Sequence, residues 1–386
     1  MDQVRLGVIG CGGMARAHMK YFPTIPGLRF AAAADAFADN VKAVCQASEG
    51  VKGFDDGQKL IDSGEVDAIL ICTPHYFHPQ LAIAGLKAGL HVLTEKPVAV
   101  TAKAAAEVNA EHAKRPELVY AAMFQLRDAP LWKRLKNMIT TGQLGDIKRL
   151  SWIVTNWFRT QAYYDAGSWR ATWKGEGGGV LLNQCPHNLD LLCWLVGSPS
   201  KVHSQVHLGK HHHIEVEDDV TAYLEWPSGT TGTFITSTGD SPGTDRLEIT
   251  GDKGKVIVEG KRITFVNTYE SVASFCATSD EAFGQPLADT ITIDVKGDDP
   301  GHRAVTANFI DAIQKPGTPL ICSGEDAMQE LELGNAMLMS GLIKQPMDIP
   351  MDRDAYDRLL KDLIAKSTFQ KGAVRKAKVD LEKSFH

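Results

Sequence analysis

Over the first third of the chain, short apolar runs alternate with segments of helical spacing. "VRLGVIG" is apolar and closes on glycine, and "MARAHMKYF" continues with the helical period. "LRFAAAAD", "VDAILICTP", "HVLTEKP" and "LVYAAMF" repeat the strand-like pattern, most of them after a helical stretch. This rhythm predicts a parallel sheet with crossover helices. After "AAMFQLRD" it changes. A helical "PLWKRLKNMITTGQLG" is followed by long segments near strict alternation: "DIKRLSWIVTNWF", "KVHSQVHLG", "VTAYLEWPSGTTGTFITS", "DRLEITGDKGKVIVEG" and "RITFVNT". Alternation broken by glycine turns predicts a largely antiparallel sheet. Further on, "HRAVTANFIDAIQKPGTPLICSGEDAMQELELGNAMLMSGL" reads as two helices around a Pro/Gly turn. The stretch from Arg353 starts as a helix and ends in a basic run.

The 386 residues suffice for more than one domain and a large core. A net charge of -6 argues against a nucleic-acid or anionic-membrane surface. The longest apolar runs are too short to span a bilayer, and the first residues read as a strand and not a signal peptide. Seven dispersed cysteines without a CxxC pair fit reduced thiols in the cytoplasm.

"GCGGMA", Gly10 to Ala15, fits Gly-x-Gly-x-x-Ala between a predicted strand and a predicted helix. Gly10 permits the tight turn, Gly12 lets backbone approach a pyrophosphate, and Ala15 lets helix pack on sheet. Gly13 and Met14 open the helix, whose N–H groups face the phosphates. Asp35 closes the second strand, 20 positions after Ala15. A carboxylate there accepts the ribose hydroxyls and repels a 2′-phosphate, favouring NAD over NADP. Ligands of such sheets bind at the carboxyl ends of strands. That places Thr73, Pro74 and His75 of "CTPHYFH" and Glu95 and Lys96 of "TEKP" among the candidates. A lysine in this position is more often a surface charge.

Between two predicted strands runs "WFRTQAYYDAGSWRATWKGEGGG", a loop carrying Tyr163, Arg170 and Trp173. Aromatic faces beside hydrogen-bonding groups suit sugars, though such a loop can also pack on its own rings. "GGGVLLNQCPHNLDLLCWLVG" follows. Leu189, Leu192, Cys193 and Val196 recur at helical spacing, with Asn183 as the expected N-cap, Pro186 in the first turn and His187 one turn on. On the residues alone, His187 reads better as a structural histidine than as a base. The stretch "KVHSQVHLGKHHHIEVEDD" holds His203, His207 and His211 to His213 beside Glu215, Glu217 and Asp218. Strand and turn geometry spread these groups, so no metal is expected.

Together, "GVIGCGGMARAH", "CTPHYFH", "TEKPVA", "GGGVLLNQCPHNLDLLCWLVG", "VEDDVTAYLEW" and "MDIPMD" resemble the Gfo/Idh/MocA oxidoreductases in order and over nearly the whole chain. The resemblance implies an α/β architecture. An N-terminal Rossmann dinucleotide-binding domain spans residues 1–124. A C-terminal α/β domain with a large, mainly antiparallel open sheet spans 125–350, for substrate binding and oligomerisation. A helical tail spans 351–386. It implies NAD as cofactor, a homodimer or homotetramer, and a small carbohydrate or polyol substrate. The implied reaction moves a hydride between nicotinamide and a hydroxyl-bearing carbon of a sugar, inositol or glycoside, ring C3 of a glycoside being one such carbon. The alternatives are a glycoside-cleaving enzyme using transient ring oxidation, and a non-enzymatic NAD-binding regulator. By the same resemblance Lys96 and His187 are catalytic, with His187 the acid/base. Asn183, Tyr163, Arg170, Trp173 and Arg127 fall to the substrate. Gly10, Gly12, Gly13, Met14, Asp35, Thr73, Pro74, His75, His78, Glu95, Lys96 and Gln125 fall to the cofactor. Asn183 stands where the family often has aspartate, which leaves less negative charge expected around Lys96 and His187.

Overall fold

The computed structural model describes residues 3–372. By contacts the chain divides into two units. One runs up to Asp128 and takes in Pro300–Leu331; the other comprises Ala129–Asp299 and the chain from Glu332.

The first unit is built on six parallel strands: β1 (Val4–Ile9), β2 (Leu28–Ala34), β3 (Lys52–Phe54), β4 (Ala68–Ile71), β5 (His91–Thr94) and β6 (Tyr120–Ala122), in the order β3-β2-β1-β4-β5-β6. The apolar runs are continuous because both faces of this sheet are covered. Val4, Leu6 and Val8 face one core with Ala68 and Leu70; Ile9, Ile69 and Ile71 face the other. Residues 300–331 join this unit, a grouping outside the 125–350 partition expected from sequence. The helix Gly301–Gln314 inserts Val305, Phe309 and Ile310 into the core shared with β1 and β4. Burial of those three side chains decides the grouping, and nothing local in the sequence announces it.

The second unit is a nine-stranded sheet: β7 (Ile147–Val154), β8 (Lys201–Leu208), β9 (Glu217–Glu225), β10 (Thr231–Ser237), β11 (Asp245–Gly251), β12 (Gly254–Glu259), β13 (Arg262–Thr268), β14 (Ala288–Asp294) and β15 (Met347–Asp348). Their order is β14-β13-β12-β11-β7-β10-β9-β8-β15. Every pairing is antiparallel except β7 with β10. The alternation in β9, with Val220, Ala222 and Leu224 buried and Thr221, Tyr223 and Glu225 exposed, marks a sheet covered on one face. Helices Pro130–Thr140 and Pro186–Val196 belong to this unit, and the terminal helix Arg353–Lys366 ties to it through Arg353, which donates to both oxygens of Glu332. The basic run expected beyond this helix, Arg375, Lys376 and Lys378, lies outside the described residues. All seven cysteines are free thiols. No helix among the described residues is long and apolar enough to cross a membrane.

Candidate active site

The nucleotide turn sits at the carboxyl end of β1. Gly10 has φ +93°, and a Cβ there would lie 2.7 Å from the backbone of Cys72, so only glycine fits. Gly12 is different: a Cβ built on it meets nothing within 4 Å, leaving that face open for a ligand. Gly13 and Met14 begin the following helix, and Ala15 is fully buried against the sheet. Asp35 is fixed at the end of β2. Its Oδ2 accepts the Cys11 N–H at 2.7 Å and its Oδ1 the Phe37 N–H at 2.8 Å, so acid and turn are held in register. At the end of β4, the buried Oγ1 of Thr73 has no hydrogen-bond partner among the described residues. An open glycine face, an anchored ribose-type carboxylate and an orphaned hydroxyl fit a dinucleotide.

Other candidates serve the frame of this site. His78 is buried, with Nδ1 against the Pro97 carbonyl at 2.8 Å and Nε2 against the Thr73 carbonyl at 2.7 Å, tying the loops after β4 and β5 together. Burial pushes its imidazole below the usual range, against the pull of those carbonyls. Pro74 leads into a short turn where His75 is also buried. Glu95 follows β5 and is 4% exposed. Its Oε1 meets His18 Nε2 at 2.6 Å and its Oε2 accepts the Lys96 N–H. Burial alone would raise its carboxyl, but the His18 hydrogen bond, with the charges of His18, His302 and Lys96, holds it at about 2. Burial lowers His302 to about 4. Lys96 therefore follows directly on a buried, ionised carboxylate. Gln125 is buried in the turn Gln125–Asp128, and Arg127 in the same turn pairs with Asp326 at 3.3 Å. The sequence reading does not single out His18 or His302: His18 closes "GVIGCGGMARAH" without a role of its own there, and His302 opens a helix far along the chain.

In the second unit the triple glycine is a latch. A Cβ on Gly179 would lie 1.9 Å from the Glu217 carbonyl oxygen. The Val180 N–H donates to that oxygen at 2.9 Å, while the Gly179 and Leu181 N–H groups donate to Glu217 Oε1 at 2.8 and 3.1 Å. The glycines thus bring the chain against the start of β9. The helix begins at Pro186 with Cys185 as its N-cap. Asn183 is not the cap expected from sequence. It lies in the preceding turn, where its N–H donates to the Gly179 carbonyl and its side chain is drawn to Glu176. Pro186 occupies a position where a missing N–H costs nothing. His187, 4% exposed, is in the first turn.

Around Asn183 the loop side chains converge. The Tyr163 hydroxyl accepts from Arg170 Nη1 at 2.6 Å, Gln184 Nε2 at 3.2 Å and Asn183 Nδ2 at 3.3 Å. The Arg170 guanidinium lies over the rings of Tyr163 and Trp169, 4.4 and 4.7 Å from their centroids. Trp173 is buried, its N–H donating to Glu215 Oε1 at 2.9 Å. Two buried carboxylates escape the sequence reading as site residues: Glu176, directly before the triple glycine, and Glu217. Burial pushes both upward, Glu217 to about 7. In the histidine-rich stretch, both ring nitrogens of His212 are engaged, one by Asp218 and one by the Arg159 carbonyl, while His203 and His207 lie on the exposed side of β8. No group of three or more candidate ligands among the described residues could hold a metal.

Residues 4–123 match the family model described as "Oxidoreductase family, NAD-binding Rossmann fold", and residues 132–257 match "GFO/IDH/MocA C-terminal domain". The rhizopine catabolism protein MocA of Rhizobium meliloti is 32% identical over 51% of this chain and 58% of its own. The myo-inositol 2-dehydrogenase of Thermotoga maritima is 25% identical over 86% of this chain and 95% of its own. The chain spans roughly half to two-thirds of the length of several of the curated relatives it matches, MocA among them. Among solved structures, the WlbA dehydrogenase of Bordetella pertussis, crystallised with NADH and UDP-GlcNAcA, superposes with a TM-score of 0.77 at 25% identity. That match covers 91% of this chain and 100% of WlbA.

Proposed function

The chain belongs to the Gfo/Idh/MocA oxidoreductase family, and from that premise we propose that it oxidises or reduces a hydroxyl-bearing carbon of a sugar, inositol or glycoside with NAD. NAD, when bound, supplies the two-electron acceptor or donor. The carrying observation is the Tyr163–Arg170–Asn183 cluster, one turn ahead of the buried His187, on a chain whose other unit holds the Gly10–Gly12–Asp35 turn. His187 takes the hydroxyl proton in oxidation and returns it in reduction, because a neutral imidazole accepts a proton and an imidazolium donates one. Lys96 sets a positive charge beside the developing alkoxide, where a fixed charge acts strongly. Tyr163, Arg170 and Asn183 orient substrate hydroxyls, and the aromatic rings of the loop suit the C–H face of a sugar or polyol. Asp35 selects NAD over NADP.

The test is a panel of sugars, inositols and glycosides followed for NADH. His187→Asn is expected to lower turnover by about 10²- to 10⁴-fold with NAD binding intact; retention of most of the activity would remove His187 from the chemistry. Product formed without accumulation of NADH would point instead to glycoside cleavage through transient oxidation. NAD binding with no turnover across the whole panel would favour a regulator.

A further inference from the structure

We propose that Glu176 is a positioning residue of the acid–base centre: its carboxylate holds the Asn183 amide by the nitrogen and keeps a full negative charge beside the turn that leads into His187. This inference rests on the oxidoreductase reading above.

Glu176 is 1% exposed. A buried carboxylate is costly unless donors and a counter-charge surround it. Its described contacts are all of that kind. Oε2 accepts the Ala171 N–H at 2.5 Å, Oε1 accepts Asn183 Nδ2, and Arg170 Nη1 lies 3.6 Å from Oε1. Lys371 adds a second nearby positive charge. Ala171 itself has φ +55°, a region a β-carbon disfavours, so the loop is held in a strained turn where its N–H reaches the carboxylate. The neighbouring Glu217 raises the question of which acid is ionised. Glu217 has two backbone N–H donors on Oε1, whereas its Oε2 has no partner among the described residues. With the cations beside Glu176 and only neutral donors on Glu217, the charge of the pair belongs on Glu176.

The consequence falls on Asn183. An asparagine amide carries its donor and acceptor at opposite corners. A carboxylate against Nδ2 forbids the flipped orientation, which would set Oδ1 against oxygen. Glu176 therefore fixes Asn183 with its carbonyl turned away from the carboxylate. Asn183 and Glu176 together carry the charge of one aspartate, displaced by one side chain. The deficit of negative charge expected from Asn183 alone is made up by a residue seven positions upstream.

The experiment compares wild type, Glu176→Gln, Asn183→Asp and the double variant, with the substrate that wild type turns over in the panel. Glu176→Gln keeps the shape of the side chain but sets an amide nitrogen among donors. Its kcat is expected to fall about 10- to 100-fold, the range of a lost charge-assisted hydrogen bond, with KM for NAD unchanged. Asn183→Asp alone sets two carboxylates against each other and is also expected to lose activity. The double variant restores one charge and one donor with their places exchanged, and its kcat is expected to recover at least about tenfold over Glu176→Gln. A Glu176→Gln enzyme within about twofold of wild type in kcat overturns the inference. So does a loss explained entirely by a lower folded fraction, with no recovery in the double variant. Should Glu176→Gln fail to fold, the double variant decides: folded and active supports the inference, whereas folded and inactive, or unfolded, assigns Glu176 to stability alone. An inactive wild type that binds NAD defeats the oxidoreductase reading and this inference with it, whereas an active wild type with an indifferent Glu176→Gln defeats the inference alone.

Discussion

Gly12 and Gly179 stand in similar glycine-rich contexts and answer to different constraints. A methyl group on Gly12 meets no protein atom within 4 Å, so Gly12→Ala should fold with an unchanged melting temperature and bind NAD more weakly, as titration would show. A methyl group on Gly179 would overlap the Glu217 carbonyl, so Gly179→Ala should lose about 1–3 kcal/mol of stability while its NAD affinity survives in the folded fraction. Glu217 adds a pH dependence of known sign. Burial, the larger cause, raises its carboxyl to about 7, so the folded protein holds this proton more tightly than the unfolded chain. That contribution is fully present below the ordinary carboxylate range and is lost as pH rises through about 7. Glu217→Gln, fixed in the neutral form, should melt close to wild type near about pH 5 and several degrees above it near about pH 9. A melting-temperature difference that does not change between those pH values would place the ionisation elsewhere. These residue-scale properties are only half legible in the sequence. The nucleotide glycines declare themselves because strand, turn, helix and acid follow within one local motif. The triple glycine signals only a close approach to backbone or a ligand, because its partner, a carbonyl on β9, is distant in sequence. Asn183 reads as an N-cap from spacing alone, since the Glu176 carboxylate that claims its side chain becomes visible only once the loop is folded.

Elements are legible where burial imposes a period. β1 and β4 show as apolar runs, and β9 shows as alternation, because each has a core to face. β14 gives no such signal: six of its seven residues are exposed, and its place at the sheet edge comes from pairing with β13. The segment after the terminal helix is also silent, and it has identifiable work. Ser367 donates to Glu215 Oε2, whose other oxygen holds the Trp173 N–H. The Phe369 ring lies 5.0 Å from that of His213, and Lys371 donates to the Arg170 carbonyl. This strap therefore clamps the loop that carries Tyr163, Arg170 and Trp173. Ala171, with its strained backbone, follows Arg170 directly in this loop, and none of residues 367–372 is buried. A chain ending at Lys366 should keep its NAD affinity and its kcat to within about tenfold, raise KM for the carbohydrate several-fold, and be nicked faster by trypsin between residues 159 and 174. An unchanged KM together with unchanged cleavage would show that the loop holds its shape unaided.

At the scale of the whole molecule, the division of labour between two units, each with its own sheet, has a measurable consequence. The residues that fit a dinucleotide all belong to the unit built on β1 to β6, and the cluster around Asn183 belongs to the unit built on β7 to β15. A ligand stabilises whatever must be ordered for it to bind, by about 2.7 kcal/mol when present at about a hundred times its Kd. NAD alone should therefore slow amide exchange at Gly10–Ala15, around Asp35 and at Thr73–His75, where backbone groups approach it. Exchange in residues 161–187 should stay at its unliganded rate. Addition of the carbohydrate or polyol found by the panel should then slow that second set, foremost at Ala171, whose N–H is held by Glu176. Glu176→Gln should speed exchange at Ala171 and leave the NAD-dependent set unmoved. Protection of residues 161–187 by NAD alone would contradict this division, since the cofactor would then be ordering the loop assigned to the substrate. Protection by the carbohydrate without NAD would instead mean that the second unit recognises its ligand unaided, with the nucleotide needed for chemistry and not for binding.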